Sequence, residues 1–286
     1  MCPIAPSCGS SRDTVLRRIP PFPTALVAIL HSCASENPDV SEIARAVSME
    51  EVLAASVVRA ANAATLAPVH TVDNVLEAVS RLGTTAIRGM ASAYFLGNTF
   101  SSAFLQSGLD RQSLWRHNLA VAAASTGAAG PGLERANAYF AGLMHDVGTL
   151  ILAAELGAAY ADIINEALCS DRELHLVEAE KLGVDHAEMG ADAAEQWNFS
   201  PENVEAIRRH HQVLGAGLLP PLASHVLVGN QVANDMGFRV TKVHADSRSA
   251  GVSNMAASIG AGIMSRARWA LTNEMPRIEA MLSAMT

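Results

Sequence analysis

Apolar residues recur along this chain at three- and four-residue intervals between short clusters of Pro, Gly, Asp and Ser, a spacing that predicts helices rather than strands. Pro20, Pro21 and Pro23 fix an extended approach, after which Thr24 can cap a helix over residues 25–34. Asp39 and Glu42 form a variant capping box ahead of a short helix over 43–47. A longer helix is predicted over 49–63, with Val52, Leu53, Val57 and Ala60 on one face. Asp73 opens a helix that stops at Gly83, and another follows over 84–97.

The next helix starts at Ser113, and Leu114, His117, Val121 and Ala124 share its inner face, which points His117 toward the interior. From Glu134 a helix leads into His145-Asp146. Gly148 is expected to break it before a helix over 150–156. Helices over 157–169 and 171–182 end at Gly183, and the Asp185/Glu188 box opens another. Ser200 before Pro201 starts the helix that ends in His210-His211. A further helix over 222–236 ends at Gly237, and the tail from about residue 247 is helical with an interruption at Pro276. The chain thus reads as all-α: a disordered leader over 1–18, one domain over 19–237, and a C-terminal helical extension over 238–286 that packs on it.

Composition narrows the class. With 286 residues, 50% hydrophobic and 17% charged, the chain can bury a substantial core, and aromatic residues at 5% leave Ala, Leu, Val and Met to fill it. A formal net charge of −8 and the absence of a basic stripe disfavour nucleic acid as a partner. Cys2, Cys8, Cys33 and Cys169 have neither zinc-site spacing nor disulfide density, and Cys33 and Cys169 read as small core residues. No signal-peptide core and no membrane-length apolar run is present, so a soluble cytoplasmic protein is expected.

The candidate chemistry lies in the middle third. His117, His145, Asp146, His186, His210 and His211 are imidazoles and a carboxylate, the commonest transition-metal ligands, and several stand at helix ends. Together they would hold one or two divalent ions such as Fe, Mn, Ni or Zn, which can activate water toward a phosphoester. Each residue taken alone has a plainer reading. His117 suits a core imidazole bonded to backbone, Asp146 a cap on the following helix, and His210-His211 a complement to a helix dipole. Asp185 and Glu188 are explained by capping alone.

The order of these residues resembles the HD superfamily of metal-dependent phosphohydrolases, and especially its HDOD branch, from Ile19 to His211 and on toward Gly237. The resemblance is carried by Ile19-Pro20-Pro21-Phe22-Pro23, Arg59-Ala60-Ala61-Asn62, Ala78-Val79-Ser80-Arg81-Leu82-Gly83, Ala141-Gly142-Leu143-Met144-His145-Asp146-Val147-Gly148, the run from Glu178 to His186, Trp197-Asn198 and His210-His211. It implies an HD-like multi-helix bundle and a signalling or regulatory role in bacteria. Three departures stand against catalysis. Asn230 occupies the place of the last metal-ligating Asp, the Gly-Tyr-Pro signature is missing after His211, and Thr149 stands where catalytic relatives carry Lys. Asp235 is a weak substitute for Asn230, because it points about 140° away around the same helix. The expected protein is a non-catalytic HDOD regulator with signalling proteins as partners, a degenerate metal site, no assigned catalytic residue and a homodimer left open. The alternative is a metal-dependent phosphohydrolase acting on a nucleotide or cyclic dinucleotide.

Overall fold

A computed structural model describes residues 12–34, 37–62, 71–129, 133–212, 219–240 and 261–285. Among these residues fifteen helices and no strand are present: α1 Arg12–Arg18, α2 Thr24–Ala34, α3 Val40–Ser48, α4 Glu51–Ala61, α5 Val75–Thr99, α6 Ser101–Gln106, α7 Arg111–Ala128, α8 Leu133–Met144, α9 Val147–Leu156, α10 Ala158–Cys169, α11 Leu174–Leu182, α12 His186–Gln196, α13 Pro201–Arg208, α14 Pro221–Asp235 and α15 Ala261–Met285. None of these helices is long and apolar enough to cross a membrane.

Local chemistry sets many of the boundaries. Asp39 accepts from the backbone N–H of Ser41 and Glu42, Asp185 from Glu188, and Ser200 from Asn203 with Pro201 at the first helical position. Gly83 bends α5 with φ 78° and ψ 165°, a conformation closed to residues bearing a Cβ, so the expected break falls where the glycine is.

The bundle is built around α7. Leu114, Trp115, Leu119, Val121 and the alanines at 120 and 122–124 bury it on almost every side, as befits a helix covered by α8, α14 and α15. On the N-terminal side α2, α3 and α4 pack against α5, while α15 lies along α7 and reaches α4 and α5. On the other side α9, α12 and α13 form a second packed group that meets α7 through α8 and α14.

Four sequence expectations change. The leader is not disordered throughout, because Arg12–Arg18 is helical, with Val15 buried and Arg12 paired with Asp192. A seven-residue helix has too little intrinsic stability to be read locally, and docking on α12 supplies what propensity lacks. Pro276 lies inside α15 and does not interrupt it, since Leu271, Ile278, Met281 and Leu282 are buried on both sides of it. Cys33 is buried, but Cys169 is exposed on the last turn of α10, whose inward positions are taken by Ile163, Ile164 and Ala167. Finally, the break between α8 and α9 falls at His145-Asp146, and Gly148 is helical. Residues 1–11, the position of the absent signature at 213–218, and residues 247–260 of the tail lie outside the described residues.

Candidate metal centre

Gly148 explains how the site is assembled. A Cβ at this position would collide with the backbone oxygen of His186 and stand 2.7 Å from the Gly190 nitrogen, so the first turn of α9 presses on the first turn of α12. That close approach brings the corner between α8 and α9 against the start of α12. Asp146 occupies the N-cap position of α9, yet its side chain makes no capping hydrogen bond. The carboxylate turns inward instead.

There it meets four imidazoles. Asp146 Oδ1 lies 3.3 Å from His145 Nε2 and 3.4 Å from Nε2 of both His186 and His210, while Oδ2 is 3.4 Å from His117 Nε2. His211 joins on the outer side, its Nε2 2.8 Å from that of His186. Donors fall into two groups that share Asp146: His117, His145 and Asp146, and Asp146, His186, His210 and His211. All six sequence candidates are therefore brought together from α7, the α8–α9 corner, α12 and the end of α13. Asn230 is buried on α14, where its Oδ1 accepts from the Asn234 amide at 2.9 Å. Asp235 is committed to Gln231 and Arg268.

The outer ring nitrogens fix which way the lone pairs face. The Nδ1 atoms of His117, His145 and His210 lie 2.6, 2.7 and 2.6 Å from the carbonyl oxygens of Phe238, Gly142 and Ile207. A carbonyl only accepts, so each Nδ1 carries the hydrogen and each Nε2 presents its lone pair inward. The His117 and His145 Nε2 atoms then face each other at 3.2 Å with no hydrogen between them. His210 Nε2 is buried with no hydrogen-bond partner.

A proton does not relieve the first contact. Burial pushes His145 down to about 3, against the pull of Asp146, and burial likewise lowers His117. His211 is held well below the usual range by burial and by the neighbouring imidazoles. Asp146 lies well below its ordinary value, because the pull of His145, His186 and His210 outweighs its burial. A divalent ion fits this donor set: ligands bound at about 2.1 Å stand roughly 3.0–3.4 Å apart, and the Asp146 to imidazole spacings match.

Three contributors were not assigned to the site from sequence, although Glu178 opens one of the runs that carry the family resemblance. Glu178, fully buried on α11, accepts from the His186 backbone N–H at 2.9 Å and from His186 Nδ1 at 2.5 Å. Its charge and that of Asp146 raise His186 well above the ordinary range, overcoming the opposing effect of burial. Tyr160 donates its hydroxyl to the other Glu178 oxygen. His175 stacks on His211 with ring centroids 4.1 Å apart. A sequence signal for Glu178 did exist: it sits in line with Leu174 and Leu182 at four-residue spacing, a carboxylate on an apolar stripe.

The HDOD domain profile matches residues 19–213, which span this whole constellation. The chain belongs to the HDOD family. Solved structures with the same fold include a Shewanella amazonensis protein whose name carries a provisional phosphohydrolase assignment, 24% identical over 98% of this chain and 99% of its own, with a TM-score of 0.67. A Marinobacter aquaeolei protein provisionally named for signal transduction is 22% identical over 96% of this chain and 61% of its own, with a TM-score of 0.72. An HDOD domain protein of unknown function from Geobacter sulfurreducens is 20% identical over 96% and 97%, with a TM-score of 0.71. An uncharacterised Treponema pallidum protein is 26% identical over 204 residues, and the match spans 38% of its length. Within this HDOD fold Thr149 is buried.

Proposed function

We propose that this HDOD protein is a regulatory module that holds divalent metal ions at the Asp146 centre and acts on signalling partners without turning over a substrate. The observation that carries the reading is enclosure. His117, His145, Asp146, His186 and His210 are at most 7% exposed, and among the described residues every ion pair of Asp146 is to a histidine. A phosphoester substrate needs an approach to the ions and a cation beside its leaving oxygens. At the position where catalytic relatives carry Lys, this chain buries the uncharged Thr149.

When bound, the ions would supply Lewis acidity and a fixed positive charge. The chain's own residues do the rest: carbonyls of Phe238, Gly142 and Ile207 orient three imidazoles, and Glu178 orients a fourth. A second reading, hydrolysis of a nucleotide or cyclic dinucleotide, is favoured by the completeness of the donor set and by the carboxylate shared between its two groups.

The test combines metal analysis of purified protein with turnover on a nucleotide panel in added manganese or iron. Metal that is retained by the native chain and lost in Asp146→Ala, with no turnover above that variant, is the expected result. Turnover that disappears in His145→Ala and Asp146→Ala would replace the regulatory reading with the hydrolase. Affinity capture that recovers no specific signalling protein would count against the partner role.

A further inference from the structure

We infer that the two ion positions sharing Asp146 are unequal, and that Glu178, steadied by Tyr160, makes the His186 position the one that fills first. The inference rests on the reading that the centre holds metal.

The donors differ in number: Asp146, His186, His210 and His211 on one side, His117, His145 and Asp146 on the other. They differ more in what stands behind them. His117 and His145 are each backed by a neutral carbonyl, from Phe238 and Gly142. His186 is backed by a carboxylate, and an imidazole whose outer N–H is given to a carboxylate is both the more basic ligand and the better oriented one.

Glu178 is also held in place from three directions. One oxygen takes the backbone N–H and Nδ1 of His186, and the other takes the Tyr160 hydroxyl. The His186 ring is therefore fixed through α10 and α11 before any ion arrives, which removes an ordering cost from binding.

Charge points the same way. A dication at the His186 position has Asp146 beside it and Glu178 one ring away. At the His117 position Asp146 is the sole carboxylate of the donor group, and Asn230 on α14 carries no charge and is engaged with Asn234. Glu178 is on this argument a positioning residue, since it touches His186 and not the ion.

The test is a titration of the metal-stripped full chain with Co(II), read by the ion's visible absorption and by calorimetry. Two steps of uptake are expected. His117→Ala should remove the weaker step alone. Glu178→Gln, which keeps the shape of the side chain, should weaken the stronger step by about 10–100-fold and leave the weaker one in place. Tyr160→Phe should weaken the stronger step by a smaller factor. If Glu178→Gln does not fold by circular dichroism, Tyr160→Phe decides, and an unchanged stronger step overturns the inference. Two-step uptake that ignores Glu178, or His117→Ala abolishing the stronger step, overturns the order of filling but leaves the metal reading intact. No Co(II) uptake by the native chain overturns the metal reading itself.

Discussion

Asn62 shows how much one side chain can organise outside the metal centre. Its amide donates to the Val72 carbonyl at 2.8 Å and its carbonyl accepts the Val72 N–H at 2.8 Å, while the same amide also reaches the Val58 carbonyl at 3.1 Å. Both ends of the segment between α4 and α5 are thereby tied by one residue, and Val72 is buried where the tie is made. Asn62→Ala leaves two backbone groups without partners. An unfolding titration should show a loss of about 2–4 kcal/mol, since each buried unsatisfied group costs roughly 1–3 kcal/mol. The sequence marks Asn62 as part of a family motif but not as a clamp, because its partner lies ten residues on, beyond the reach of any cap or turn pattern.

At the scale of elements, the sequence is legible wherever a boundary is set by local chemistry. Caps at Asp39, Asp185 and Ser200 and the left-handed stop at Gly183 act within a few residues, so pattern and turn chemistry suffice. Gly148 was misread for the opposite reason. A glycine two residues past a histidine and an aspartate looks like a helix stop, but its function is to admit the backbone of α12, which is invisible without the partner helix. Gly148→Ala follows from this: the added methyl group meets backbone, not a movable side chain, so α9 and α12 must separate. Denaturation should show a loss of about 1–3 kcal/mol. The same variant should bind Co(II) more weakly than the native chain, because Asp146 and His186 sit on the two turns forced apart. Native metal affinity in a destabilised Gly148→Ala would show that the helix contact does not set the ligand geometry.

Across the whole molecule, the boundary between a domain and its tail loses physical meaning. Leu271 and Ala267 are fully buried, and Met281 and Leu282 nearly so, with α15 lying along α7 as an integral wall of the core. Leu271→Ala should cost about 2–5 kcal/mol in an unfolding titration, as a core truncation does. A surface-like cost below about 0.5 kcal/mol would mark α15 as a detachable cover. The sequence showed that this segment is helical and apolar on one side, but not what it covers. The metal-type residues were readable for a related reason: His145-Asp146, His186 and His210-His211 stand at helix ends and His117 on the inner face of α7, whereas Glu178 and Tyr160 gain their roles only when α10, α11 and α12 pack.

Phe238 joins these two ends of the molecule. Consecutive residues of α7 hold it from both sides: His117 binds its carbonyl, and the Arg116 guanidinium lies 4.7 Å over its ring. Arg116 in turn pairs with Glu279 on α15 at 2.7 Å. One residue is thus both the back-stop of a metal-facing imidazole, through its carbonyl, and the seat, through its ring, of a cation that reaches the last helix. The metal centre and the far wall of the bundle meet on one residue, the first at its backbone and the second at its ring.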